Sequence, residues 1–183
     1  MSGLFALVII ATTIAAASPL APEYRGKDVV SGRDTQLKLN KAEKGTVVVF
    51  LSAKCPCSAS HEVALKDLYR EFQAQGFAFT GVHSNPDEDA ALTTTHFKES
   101  ALPFPVIQDG DQALANTFGA LKTPHVFVVS PKGEILYQGG VDETHIAALA
   151  KKPYLKNALL AVAHGQAPDP KEVRVMGCAI KRN

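Results

Sequence analysis

Three features of this sequence predict an α/β domain built on a central mixed β-sheet flanked by helices. They are an unbroken β-branched and aromatic run at residues 47–51, a stretch of helical apolar periodicity just after it, and continued alternation of such segments to about residue 164. A chain of 183 residues is long enough for one substantial core, so neither a disulfide framework nor a structural zinc site is needed for folding. Nineteen Lys plus Arg stand against eighteen Asp plus Glu, for a formal charge of +1, and aromatics make up 7% with no Trp. That balance gives no field for a polyanion and little surface for base stacking, which argues against nucleic acid as a partner.

Residues 4–17 form an almost unbroken apolar run ending in Ala15-Ala16-Ala17-Ser18-Pro19. Small residues at Ala15 and Ala17 fit a signal-peptidase site, so residues 1–17 are expected to be a signal peptide, with the mature chain starting near Ser18. No Lys or Arg precedes the run, and the uncharged stretch through Pro22 is nearly long enough to span a bilayer. An uncleaved anchor is therefore the alternative, and the only one that would bring the protein to a membrane. The absence of a Cys just after the run argues against a lipoprotein anchor. Either route leads to a secreted or periplasmic protein, in a compartment where cysteine pairs can be oxidised.

Residues 18–27 are poor in apolar side chains and are expected to be a linker, with one domain over residues 28–183. Residues 28–31 and 36–39, around Gly32-Arg33-Asp34, predict an N-terminal β-hairpin. Residues 47–51 predict a strand buried on both faces. Leu65, Leu68, Tyr69 and Phe72 mark the apolar face of a helix over residues 58–75, stopped by Gly76. A strand is expected at 77–82 and a helix at 87–100, opened by Asn85-Pro86-Asp87. A short strand at 104–108 and a short helix at 111–118 follow, with Asp109-Gly110-Asp111 as turn and cap. A hairpin over 126–129 and 135–137 turns at Pro131-Lys132-Gly133, and a last helix covers 144–164, with a break expected at Pro153. The connections are short and no repeat is present, as in a single compact domain.

Three cysteines in such a chain call for a chemical explanation. Cys55-Pro56-Cys57 sits where the buried strand ends and the first helix begins. Unpaired backbone N–H groups and the positive end of the helix dipole favour a thiolate there, and Lys54 adds a neighbouring positive charge, so Cys55 is expected to be the more nucleophilic thiol. The alternative is that the cysteines are small buried hydrophobes. Thr123-Pro124, just before a strand, is the second element. If that bond is cis, the Thr123 backbone is exposed to pair with an extended partner chain beside the sulfur.

Together these residues resemble the thioredoxin-like superfamily, and within it exported peroxiredoxin-like redoxins of the alkyl hydroperoxide reductase and thiol-specific antioxidant type. The likeness covers roughly residues 28–181. It rests on Phe50-Leu51-Ser52-Ala53-Lys54-Cys55-Pro56, Thr123-Pro124-His125-Val126-Phe127-Val128, Pro131-Lys132-Gly133-Glu134-Ile135, Tyr137-Gln138-Gly139-Gly140-Val141-Asp142 and Gly177-Cys178-Ala179-Ile180-Lys181. The resemblance implies a thioredoxin-like fold, Cys55 as the attacking thiol and Pro124 as the neighbouring cis proline. It also implies Ser52 as the hydroxyl three residues before Cys55, and a Cys55–Cys178 bond in preference to a Cys55–Cys57 one. The function implied is an extracytoplasmic thiol-based oxidoreductase with no cofactor. Its substrates would be protein thiols and disulfides or a hydroperoxide, and an external reductant would regenerate it. Two departures stand out: the spacing is C-x-C where thioredoxins have C-x-x-C, and Val48 occupies the position of a peroxiredoxin proline.

Two further functions fit the residues. Soft thiolates with imidazoles suit copper(I) or zinc, and Cys55 and Cys57 with His61, His83 and His125 form a second ligand set, resembling thioredoxin-fold copper metallochaperones that pair two cysteines with one histidine. A thioredoxin-fold binding module without turnover is the third. Asn85-Pro86-Asp87-Glu88-Asp89 lacks the ligand spacing of a calcium loop and is expected to be an acidic helix start. No nucleophile elbow or phosphate-binding glycine loop is present.

Overall fold

The computed structural model describes residues 19–21 and 23–182. The expected signal peptide lies outside the described residues, and among those described no helix is long and apolar enough to cross a membrane. The seven-stranded sheet is ordered β2-β1-β5-β4-β3-β7-β8. Inside it lies β3 (Gly45–Leu51), parallel to β4 (Phe77–His83) and antiparallel to β7 (His125–Val129). On its other side β4 pairs with parallel β5 (Val106–Gln108), and β8 (Ile135–Gly139) completes the far side of the sheet. The thioredoxin-like α/β architecture expected from the sequence is present.

Every residue of β3 is buried, because side chains alternate across a sheet covered on both faces. Val47, Val49 and Leu51 face one core layer with Leu65, Leu68 and Phe72 of α1 (Pro56–Phe72), Phe97 of α2 (Ala90–Ser100), and Leu155 and Leu159 of α4 (Tyr154–Ala163). Val48 and Phe50 face the other layer, with Leu114, Ala115 and Phe118 of α3 (Ala113–Phe118) and with Ile180 of the C-terminal tail. The Phe50, Phe118 and Phe127 rings meet edge-on there, with centroids 5.2–5.8 Å apart.

Three elements differ from expectation. The first strand, β1, covers Glu23–Asp28 and takes in most of the stretch expected to be a linker; it pairs with β2 (Asp34–Lys38) and β5. Residues 28–31 make the turn instead. The Asp28 carboxylate accepts from the Ser31 N–H and hydroxyl at 2.8 and 2.7 Å, an Asx turn that takes the place of strand pairing. Helix α2 starts after Asp89, whose carboxylate accepts from the Leu92 N–H at 2.9 Å; Asn85 and Glu88 are drawn elsewhere. The expected long final helix is split into a single 3₁₀ turn at Ala147–Leu149 and α4, which begins after Pro153. Pro153 has no N–H to give a helix, and the Glu143 carboxylate accepts the N–H groups of Lys151 and Lys152 at 2.8 and 2.9 Å.

After α4 the chain runs back along β8, where Gln138 gives its N–H to the Lys171 carbonyl and accepts from the Val173 N–H. It then crosses to pair β9 (Cys178–Ala179) antiparallel with β6 (Lys122–Thr123).

Candidate active site

The site begins at the carboxyl end of β3, where the chain turns into α1. Cys55 is the N-cap of that helix, in an extended conformation (φ −83°, ψ 113°), with Pro56 opening the first turn. Its sulfur accepts from the Ser58 N–H at 3.4 Å, one of the donors a helix start leaves free. The side chain is 2% exposed. Opposite stands Thr123, whose carbonyl lies 3.1 Å from Cys55 Sγ and whose bond to Pro124 is cis. The Thr123 hydroxyl is buried and makes no hydrogen bond of its own elsewhere among the described residues.

The third side is the C-terminal tail. Thr123 pairs in register with Cys178, and Cys178 Sγ sits 2.7 Å from Cys55 Sγ, with both thiols free. Each part of the tail motif has a place. Gly177 passes so near Thr123 that a Cβ there would lie 2.1 Å from its carbonyl oxygen. Ile180 is buried in the core and gives its N–H to the Leu121 carbonyl at 2.9 Å. The Lys181 N–H reaches Asn85 Oδ1 at 3.2 Å.

Behind Cys55 lies a polar network built around Glu88. One carboxylate oxygen accepts from the Ser52 hydroxyl and from Asn85 Nδ2 at 3.0 Å. The other accepts from the Ala53 N–H at 2.7 Å and meets His83 Nε2 at 3.0 Å. Ser52 Oγ in turn accepts the Cys55 N–H at 3.0 Å, and the Ser52 N–H is bonded to Ser58 Oγ at 3.1 Å. Serine thus holds the backbone of the cysteine loop rather than the sulfur. Burial alone would push the Glu88 carboxyl up, but the bonds from His83, Ser52 and Ala53 hold it down to about 2. A small cavity of about 120 Å³ opens beside the sulfurs, between Ser52, Lys54, Asn85, Glu88 and Cys178.

The electrostatics separate the three thiols. Burial pushes Cys55 up, but its contacts with Cys178 and Thr123 and the Ser58 N–H outweigh that and hold it below the ordinary thiol value. Burial pushes Cys178 up to about 12, and its bond to Cys55 and the negative charge there push the same way. Cys57 is raised by burial and then by the Cys55 charge. Cys55 is therefore the most readily ionised of the three thiols.

Among the residues expected from the sequence, Cys55, Cys57, Cys178, Thr123, Pro124 and Ser52 converge. Lys54 borders the same cavity, but its ammonium donates to the Asp87 carbonyl at 2.5 Å, which ties the cysteine loop to the segment after β4. The histidines of the metal alternative do not join the sulfurs. His61 bonds to the Cys57 carbonyl at 2.6 Å and to Asp142 at 3.0 Å. His83 is spent on Glu88 and Gln108, and His125 stacks on Phe127 with centroids 4.4 Å apart. Among the described residues, the grouping within ligand reach is Cys55, Cys57 and Cys178, with sulfurs within 4.8 Å of one another. Glu88, Asn85 and His145 were missed. The acidic segment after β4 carried a signal for the first two, since the ends of neighbouring parallel strands open onto one edge. His145 carried none.

Residues 19–138 match the model of the AhpC/TSA family, and the chain belongs to that family: it is a thioredoxin-fold redoxin and a thiol-based oxidoreductase. No curated protein matches it. Among solved structures, an uncharacterized conserved protein from Geobacillus kaustophilus is 22% identical with a TM-score of 0.81, covering 94% of each chain. A hypothetical protein from Sinorhizobium meliloti is 24% identical with a TM-score of 0.80, over 94% of this chain and 97% of that one. A peroxidoxin from Mycobacterium tuberculosis is 16% identical with a TM-score of 0.61, over 81% and 95%.

Proposed function

We propose that this redoxin acts outside the cytoplasm, with Cys55 as the attacking thiolate, Cys178 as the resolving thiol and a hydroperoxide as the oxidant. The observation that carries the reading is the pairing of Thr123 with Cys178, which sets the two sulfurs 2.7 Å apart. Here β9 holds the position beside Pro124 that an extended polypeptide substrate would need. What stays open beside Cys55 is a cavity of about 120 Å³, room for a small oxidant.

The Cys55 thiolate attacks one peroxide oxygen and breaks the O–O bond, giving Cys55 sulfenic acid and an alcohol or water. The charge on Cys55 that helped hold Cys178 protonated is thereby removed. Cys178 then attacks the sulfenic sulfur, and water leaves as the disulfide forms. An external thiol reductant supplies two electrons to restore both thiols. Export is supported by the apolar run at residues 4–17 and the Ala15–Ala17 cleavage pattern.

The test is intact and peptide mass spectrometry of the purified protein before and after one equivalent of hydrogen peroxide, with free thiols alkylated. A disulfide involving Cys178 that requires Cys55 for its formation, on a chain starting near Ser18, supports the reading. Peroxide consumption unchanged by Cys55→Ser would sink it.

A further inference from the structure

Cys55 is a poor place for an external reductant to arrive. It is 2% exposed and walled in by Thr123 and the tail, whereas Cys57 and Cys178 are half-buried. Cys57 also has a base of its own, which the proposed reaction leaves unused. His145 Nδ1 lies 3.4 Å from Cys57 Sγ, and the imidazole is exposed. The loop that carries His145 is fixed to the first turns of α1 at two points. The Ala147 N–H donates to Ser60 Oγ at 2.9 Å. His61 bridges from the Cys57 carbonyl to Asp142, which also accepts the Thr144 N–H at 2.8 Å.

Resting on the function proposed above, we propose that Cys57 and His145 form a third station. Cys57 takes over the disulfide from Cys55, so that the oxidised protein presents a Cys57–Cys178 bond to its reductant. With the ring proton on Nε2, His145 Nδ1 accepts the Cys57 thiol proton. The Cys57 thiolate attacks Cys178 Sγ, the Cys55–Cys178 bond breaks, and Cys55 leaves as a thiolate. One disulfide is exchanged for another, so the oxidation is conserved and no co-reactant is consumed. Cys55 is the preferred leaving group because the Ser58 N–H at the helix start donates to its sulfur and stabilises its thiolate, and lower-pKa thiols leave faster. Attack at Cys55 instead would close a ring across Pro56 alone, a geometry that strains a disulfide. The outcome is a Cys55 ready for a second oxidant while the stored oxidation waits on the more accessible pair.

The experiment is a time course after one equivalent of hydrogen peroxide, quenched with acid and mapped by peptide mass spectrometry. Cys55 and Cys57 share the tryptic peptide 55–66, so fragmentation must assign the bonded sulfur. We expect Cys55–Cys178 to form first and then give way to Cys57–Cys178 with Cys55 free to alkylate. Cys57→Ser should stop at Cys55–Cys178, and His145→Gln should prolong that first species at least about tenfold. Wild-type protein that keeps Cys55–Cys178 with Cys57 free, as Cys57→Ser does, overturns the relay and leaves the proposed function standing. Absence of any Cys55–Cys178 bond in Cys57→Ser overturns both.

Discussion

Gly177 runs so close to Thr123 that the space between them has no room for a methyl group: a Cβ would fall 2.1 Å from the Thr123 carbonyl oxygen. This contact lets β9 lie against β6, and so decides that Cys178, rather than an outside thiol, faces Cys55.

Gly177→Ala must therefore displace either the tail or the cis-proline strand, and the tail, with two paired residues, is the weaker partner. The expected result is formation of the Cys55–Cys178 bond slowed by about tenfold or more, with Cys55 sulfenic acid trapped by a dimedone-type reagent, at a stability cost of about 1–3 kcal/mol. Trapping indistinguishable from wild type would show that the contact does not control resolution. Exchange with unfolded polypeptide disulfides should rise as β6 becomes available.

Ser52→Ala removes the acceptor of the Cys55 N–H and a donor to Glu88 at once. Leaving these buried groups unpaired costs about 1–3 kcal/mol, and it loosens the loop that aims Cys55 at Thr123. A stopped-flow measurement of Cys55 oxidation should show a slower second-order rate, while Ser52→Thr, which keeps the hydroxyl, should recover much of it.

Glu88 makes stability depend on acid. Its folded carboxyl is held down to about 2, against an ordinary 4.5, so its contribution is fully present above about 4.5 and is lost as pH falls toward 2. Denaturant titrations should show roughly 3 kcal/mol of wild-type stability disappearing across that window, with Glu88→Gln flatter there and less stable at neutral pH. Parallel curves for the two proteins would refute the assignment.

His125 acts in the neighbouring window. Burial pushes it down to about 4, and Glu172 pulls it only partly back. The unfolded chain binds a proton near 6.5 that the folded chain refuses until about 4, so stability is greatest above 6.5 and declines as pH falls between those values, by about 3 kcal/mol. His125→Gln should remove that decline. NMR titration of the imidazole in the folded protein offers a direct check, and a midpoint near 6.5 would contradict the account.

Much of the architecture was legible locally. The run at residues 47–51 has the composition of a doubly covered strand, and it is one; Leu65, Leu68 and Phe72 share a helical face, and that face is buried. The hairpin and the last helix were misplaced because side chains, not periodicity, set their limits: Asp28 diverts its neighbours into a turn, and Glu143 takes N–H groups that a continuous helix would use. Glu88 looked like ordinary helix-start acidity, since nothing nearby in sequence shows that Ser52 and Ala53 come to meet it.

Local signals suffice to place Cys55 at a strand-to-helix junction, because strand pattern, proline and helix face all act within a few residues. The surroundings of that sulfur arise only when the whole chain folds. Cys178 reaches it across 123 positions and His145 meets Cys57 across 88. Those meetings depend on the order of strands in the sheet and on a tail that returns past β8 to Thr123. Local periodicity carries no information about which distant segments a closed sheet brings to one edge.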